Sequence, residues 1–162
     1  MPIDDLEIRV ATPGDVGLIL RFIRELAEYE KLSHQVSADE AALTRVLFGE
    51  RPSAEVLLAF WRGAPAAFAV FFHNFSTFLA KPGLYLEDIY VVPEMRGKGI
   101  GKSLLHRLGK LAVESDCGRF EWTVLDWNES AIRFYQSQGA SVLPDWRICR
   151  LTGSALQKFG EG

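Results

Sequence analysis

Between residues 84 and 115 the chain runs from a β-forming stretch, Leu84-Tyr85-Leu86-Glu87-Asp88-Ile89-Tyr90-Val91-Val92, through a turn with glycine at alternate positions and directly into an amphipathic helix. Gly97, Gly99 and Gly101 punctuate the turn, and Leu104, Leu105, Leu108, Leu111 and Ala112 line one stripe of the helix. A strand, a glycine turn and a helix joined this way belong to an α/β chain. In such a turn backbone N–H groups converge and the helix N-terminus adds partial positive charge, which makes an anion site suited to a pyrophosphate. Arg96, Lys98 and Lys102 add fixed charge around it. The same glycines also suit a plain tight turn that needs positive φ, and from the turn alone the two readings stand level. Two better-known phosphate motifs fail. Gly101-Lys102-Ser103 resembles the end of a P-loop, but Arg96 stands where its first glycine is required, and the even glycine spacing does not fit Gly-x-Gly-x-x-Gly.

The rest of the chain reads as one domain over residues 1–162, with no Pro/Gly/Ser linker, charge block or repeat to divide it. Residues 7–10 alternate as a short strand. Thr12-Pro13 supplies an N-cap and a first-turn proline for a helix to about Tyr29. Ser37-Ala38-Asp39-Glu40 reads as a capping box before a second helix that ends at Phe48-Gly49. Residues 54–61 and 64–75 are β-rich runs on either side of Arg62-Gly63, which suits a hairpin. Beyond the central helix, 120–125 reads as a strand, 129–138 as a helix stopped by Gly139, and 146–151 as a last strand before a short polar tail. That order predicts a mixed central sheet flanked by helices.

Composition removes several functions. Lys and Arg total 18 against 21 Asp and Glu, a net charge of −3, so no global field favours a nucleic-acid partner. The longest apolar stretches, broken by Arg62 and Gly63, fall short of the ~20 residues of a membrane helix, and the acidic N-terminus lacks a secretory pattern. Cys117 and Cys149 make no disulfide framework or Cys-x-x-Cys pair, and His34, His73 and His106 share no metal-ligand spacing. A reducing, cytoplasmic location, no metal and no membrane partner are the expectations. Ser103 and Ser154 lie outside any Gly-x-Ser-x-Gly context, so nucleophilic catalysis has no support. Phe68, Phe71, Phe72, Phe75 and Phe78 read as a mixture of core and cleft wall.

Arg96-Gly97-Lys98-Gly99-Ile100-Gly101 resembles the acetyl-CoA motif Arg/Gln-x-x-Gly-x-Gly/Ala of the GCN5-related N-acetyltransferases. The segments beginning Arg24-Glu25-Leu26-Ala27-Glu28-Tyr29-Glu30-Lys31-Leu32, Tyr85-Leu86-Glu87-Asp88-Ile89-Tyr90-Val91 and Val124-Leu125-Asp126-Trp127-Asn128-Glu129 are similar to the diamine (spermidine/spermine) and thialysine branch of that superfamily. The resemblance runs from about Ile8 to Arg150. It implies the acyl-CoA N-acyltransferase fold, acetyl-CoA as cosubstrate, a small cationic amine as acceptor and a homodimer. A protein lysine or N-terminal amine as acceptor, and a non-catalytic acetyl-CoA-binding module, are the alternatives; the second has no need of both Glu87 and Tyr135.

Acetyl transfer from a thioester to an amine needs an unprotonated amine, a donor for the carbonyl oxygen as it gains charge, and a proton for the departing thiolate. The resemblance implies Tyr135 as that last proton donor, in place of a plain core anchor, and Glu87 as acceptor of the ammonium proton, through water. Strand neighbours Glu87 and Asp88 are expected on opposite faces, with Asp88 satisfied by a basic residue. Ile89, Tyr90 and Val91 would offer backbone groups to the pantetheine arm, one N–H serving as oxyanion donor. Asn128, by position an N-cap, joins Glu129, Ser130 and Ala131 in implied coenzyme A contact. For the acceptor the resemblance implies Tyr29 and Glu30, with Glu121, Trp122 and Thr123 on the next strand. Asp145 stands where the diamine branch has a longer insert before its tryptophan.

Overall fold

The structure is a computed structural model, and it describes residues 4–162. Residues 1–3, part of the N-terminal segment read as lacking a secretory pattern, lie outside the described residues. The chain forms two compact units, one ending at Thr123 and the other comprising Val124–Gly162.

The first unit is built on a five-stranded sheet in the order β1-β2-β3-β4-β5, from Leu6–Val10, Glu55–Trp61, Ala64–Ser76, Lys81–Val91 and Phe120–Trp122. The first three pairings are antiparallel and β4–β5 is parallel, so the sheet is mixed as expected. The β2–β3 connection is the two-residue hairpin loop read at Arg62-Gly63. Both residues have positive φ, 49° and 79°, the geometry that matches the twist of the flanking strands. Helix α1 spans Val16–Tyr29 and α2 spans Glu40–Phe48. The first follows a single 3-10 turn at Pro13–Asp15. There Asp15 receives two hydrogen bonds from Arg9 (2.8 and 2.9 Å) and one from the Thr12 backbone N–H (2.8 Å). The Arg9 contact holds this carboxyl well below the usual carboxylate range. Helix α2 starts two residues later than the Ser37 capping box implies. Asp39 is its N-cap and accepts from the Ala42 N–H at 2.7 Å, its carboxylate standing directly before the first helical residue.

Paired residues in the ladders share a face, so the sheet has two distinct sides. On one, Val56, Leu58, Phe68 and Tyr90 meet α1 through Ile19, Phe22 and Leu26. Phe22 is fully buried with its ring 5.5 Å from Phe68 and 5.9 Å from Tyr90. On the other, Ala67, Ala69, Phe71, Leu84 and Leu86 are covered by α3 (Ile100–Glu114), whose Leu104, Leu105, Leu108 and Ala112 are buried.

The second unit carries α4 (Glu129–Ser137) and α5 (Gly153–Gly160). Gly139, at φ 94°, follows α4 as its predicted stop. Three expectations are corrected. Residues 146–151 have no regular structure, since an alternating run becomes a strand only where a ladder partner exists, and the tail read as merely polar is α5. Likewise β5 ends at Trp122, three residues short of the predicted strand.

Phe22 is the contact through which α1 grips the sheet. Phe22→Ala is expected to cost about 3–5 kcal/mol. Urea unfolding should show this as a lower midpoint at unchanged slope.

Candidate active site

The distinctive geometry lies along β4. Its parallel ladder to β5 pairs only Leu84, Leu86 and the residue between them with Phe120–Trp122. From Glu87 onward, among the described residues, the edge of β4 away from β3 has no ladder partner. At the same point the β3 register slips: Phe71 pairs with Leu86 and Val70 with Asp88, leaving Glu87 as the extra residue of a bulge. Backbone groups of Ile89, Tyr90 and Val91 thus lie on an open strand edge, the kind of edge that an extended ligand can join.

The bulge also decides where the two carboxylates go. Strict alternation, which would put Glu87 and Asp88 on opposite faces, does not survive an inserted residue. Asp88 shares the face of Val70, Phe68 and Tyr90, the face that α1 covers, while Glu87 is exposed. The expected basic partner of Asp88 is absent among the described residues. Instead its carboxyl is pushed up to about 6, first by burial and then by the negative charges of Glu87 and Glu30. Glu30 caps the C-terminus of α1 and is itself raised by burial. Three carboxylates therefore converge where β4 leaves its partner, and Asp88 is the one that sequence reasoning passed over. Its signal was a second acid in an apolar strand, but the register slip that aims it is a property of strand pairing.

Beyond the open edge, Gly97 and Gly99 both adopt φ of +80°, so the turn does require glycine there. Gly101 differs: it lies in the first turn of α3, where an added Cβ would meet Val91 Cγ2 at 3.5 Å, an ordinary contact. Among the described residues no side chain caps α3, whose N-cap is Gly99, so its first-turn N–H groups have no side-chain acceptor. Lys98 Nζ lies 5.4 Å from the Trp61 ring centroid. The Arg96 guanidinium lies 5.0 Å from the Tyr29 ring and 5.8 Å from that of Tyr90, and its Nε donates to the Val91 carbonyl at 3.0 Å. Lys102 falls in the first turn of α3.

The acceptor strand divides. Glu121 pairs in register with Tyr85, whereas Trp122 pairs with Leu86 on the opposite face, its ring 4.9 Å from Phe120. Glu121 is engaged by Arg119 at 3.3 Å. Glu121, Trp122 and Thr123 therefore do not present a common surface, because alternation separates neighbours on a regular strand.

Within the second unit, Asn128 is the N-cap of α4, and its Oδ1 accepts from the Ala131 N–H at 3.4 Å and from Ser130 Oγ at 3.3 Å. Glu129 pairs with Arg133 one turn on, at 3.4 Å. Tyr135 is half-buried, with its ring 5.7 Å from Phe134. Asp145 is exposed in a turn.

A sequence model of the acetyltransferase (GNAT) family matches residues 21–140, across both units. The thialysine N-epsilon-acetyltransferase of Sus scrofa is 41% identical over 163 residues, covering 94% of this chain and 95% of the relative. The L-ornithine N5-acetyltransferase NATA1 of Arabidopsis thaliana is 36% identical over 195 residues, covering 93% and 86%. Among solved structures, an integron cassette protein from the mobile metagenome of V. cholerae superposes with a TM-score of 0.81 at 28% identity, covering 98% of this chain and 99% of that one. The chain is therefore an acetyltransferase, a member of the GNAT family with that family's fold.

Proposed function

We propose that the chain transfers the acetyl group of acetyl-CoA directly to a primary amine of a small cationic acceptor, a thialysine-like or ornithine-like amino acid or a diamine, with both units acting as one domain. The observation that carries the acceptor's charge is the half-buried Asp88 beside Glu87 and Glu30, with no cation among the described residues to satisfy it. An ammonium supplies the missing charge. The names of the relatives, which act on thialysine and ornithine, support the same class. Asp88 is placed as acceptor of the ammonium proton, and Glu87, the bulge residue, as the group that draws the cation in and passes the proton by way of water.

Acetyl-CoA fits the remaining parts. The N-terminus of α3 and the Gly97–Gly99 turn suit a pyrophosphate, with Lys98 and Lys102 beside it. The open edge at residues 89–91 suits the pantetheine arm, and one N–H there is proposed to steady the carbonyl oxygen as it gains charge. Asn128, Glu129, Ser130 and Ala131 are proposed to contact coenzyme A from α4, and Tyr135 to protonate the departing thiolate. Tyr29 and Glu30 are placed at the acceptor, with Glu121 and Asp145 as further acidic groups of the approach. No helix among the described residues is long and apolar enough to cross a membrane. A cytoplasmic homodimer, which rests on the family resemblance, completes the proposal.

Thiol release from acetyl-CoA, followed with thialysine, lysine, ornithine, putrescine, spermidine and short peptides, tests the acceptor class. Turnover confined to the peptides would replace it with a protein acceptor. Tyr135→Phe is expected to lower kcat by about 100-fold with little change in acceptor KM; unaltered turnover at several pH values would remove Tyr135 from the chemistry.

Asp88→Asn separates activity from stability. Wild-type kcat/KM should rise as pH passes through about 6 and then level off, and this limb should vanish in the variant. The folded carboxyl titrates above an unfolded one, so ionised Asp88 costs stability once pH exceeds the ordinary carboxylate value. The variant is therefore expected to melt higher than wild type at about pH 8, with that advantage lost below about pH 4, while its kcat falls by about 100-fold or more.

A further inference from the structure

Arg96 is an exposed side chain in acidic company, yet it stands apart from the acids around it. It lines an open cleft of about 730 Å³ between α1 and the end of β4, together with Glu25 and Glu28 of α1 and Glu94 two residues before it in the chain. Arg21 engages Glu25 at 2.9 Å. Among the described residues no ion pair joins Arg96 to Glu28 or Glu94. A carboxylate that captured this guanidinium would compete for it with any anionic ligand, so what keeps the groups apart matters to the site.

Three contacts hold Arg96 away from them. Its Nε donates to the Val91 carbonyl at 3.0 Å, and its guanidinium lies 5.8 Å from the Tyr90 ring centroid and 5.0 Å from that of Tyr29. Val91 and Tyr90 belong to β4, the strand that leads into the same turn, so they restrain Arg96 only against its own segment. Tyr90 is buried, with its ring against Phe22. Tyr29 differs. It is the last residue of α1, it brings the nearer ring, and it comes from across the cleft, on the helix that also carries Glu25 and Glu28. An aromatic face holds a cation by its quadrupole and leaves the guanidinium N–H donors to an anion in their plane.

The sequence sets Arg96 among the fixed charges around a pyrophosphate and gives Tyr29 to the acceptor alone. We propose that Tyr29 is also a positioning residue of the cosubstrate site: its ring keeps the Arg96 guanidinium off Glu28 and Glu94 and turned toward the phosphates of acetyl-CoA. This rests on the acetyl-CoA reading above. It makes the end of α1 serve both substrates, with Glu30 acting at the acceptor and Tyr29, one residue earlier, at the cosubstrate through Arg96.

Acetyl-CoA and S-acetylpantetheine carry the same thioester, but only the first has phosphates, so together they separate the two roles. With the intact chain and a saturating amine, the kcat/KM preference for acetyl-CoA is expected to fall by about 3- to 5-fold in Tyr29→Leu, whichever way absolute rates move. Tyr29 is 41% exposed, so leucine is accommodated there, and Tyr29→Phe, which keeps the ring, should restore the preference. Arg96→Gln should lower the preference further, and adding Tyr29→Leu to it should lower it no more. Calorimetric binding of CoA with no amine present should weaken in Tyr29→Leu by the same factor, which a role at the acceptor would not produce. An unchanged preference with a raised acceptor KM would confine Tyr29 to the acceptor and overturn the inference, as would a further loss in the double variant. Wild type that does not prefer acetyl-CoA, or acetylates no amine with either thioester, would instead overturn the underlying reading.

Discussion

The site depends on how β4 loses its neighbours. For its first half the strand is bonded on both sides, to β3 and to β5; at Glu87 one ladder ends and the other slips by one residue. A backbone edge left open inside a sheet is costly unless a ligand or solvent reaches it, so the break marks where an extended ligand is proposed to fit. The slip has a second effect. A bulge re-aims side chains, and here it turns Asp88 onto the face beneath α1. Phe22, packed against Phe68 and Tyr90, ties α1 to that face, and Glu30 at the end of α1 adds its charge to the surroundings of Asp88.

What was legible in the sequence was mainly what is local. The Arg62-Gly63 hairpin, the α3 stripe and the Gly139 stop each rest on a few adjacent residues, and each is found in the structure, whereas Thr12-Pro13 opens a 3-10 turn and α1 itself begins three residues later, at Val16. The glycine turn was legible as a turn and, through its resemblance, as an acyl-CoA motif. Positive φ at Gly97 and Gly99 bears out the tight turn, and the uncapped helix start beside it is compatible with the acyl-CoA reading. What failed was non-local. Residues 146–151 carry a strand's pattern but no ladder partner, and the polarity of Gly153-Ser154 at its start hid the helix α5. Asp88 was misjudged for the same reason: which way it points depends on a count of residues between two strands, and strict alternation is the only rule a single strand can offer.

The net charge of −3 also says little about the local fields. Around the glycine turn the proposed attraction for an anion would come largely from backbone N–H groups, which act over the first turn of a helix and fade beyond it. The carboxylates of the acceptor side act over a longer range but within a partly buried recess. A short-range dipolar site and a longer-range ionic one can lie on successive parts of the same strand-turn-helix without cancelling each other.

The clustering of acids has a consequence for the proposed transfer to an ammonium-bearing acceptor. A lone buried carboxylate would be raised by desolvation, and so would attract a cation poorly until ionised. Glu87 and Glu30 raise Asp88 further by repulsion, yet they also provide the negative potential that brings an ammonium close. As the cation arrives it offsets that repulsion and favours ionised Asp88. In the proposed reaction the ammonium proton would move onto Asp88, leaving a neutral amine, and the remaining negative charges would stabilise the protonated acid. The same carboxylates therefore favour binding in one protonation state and proton transfer in the next. A single carboxylate flanked by arginines would do neither, because a paired cation would hold its pKa down and close the recess to a second one.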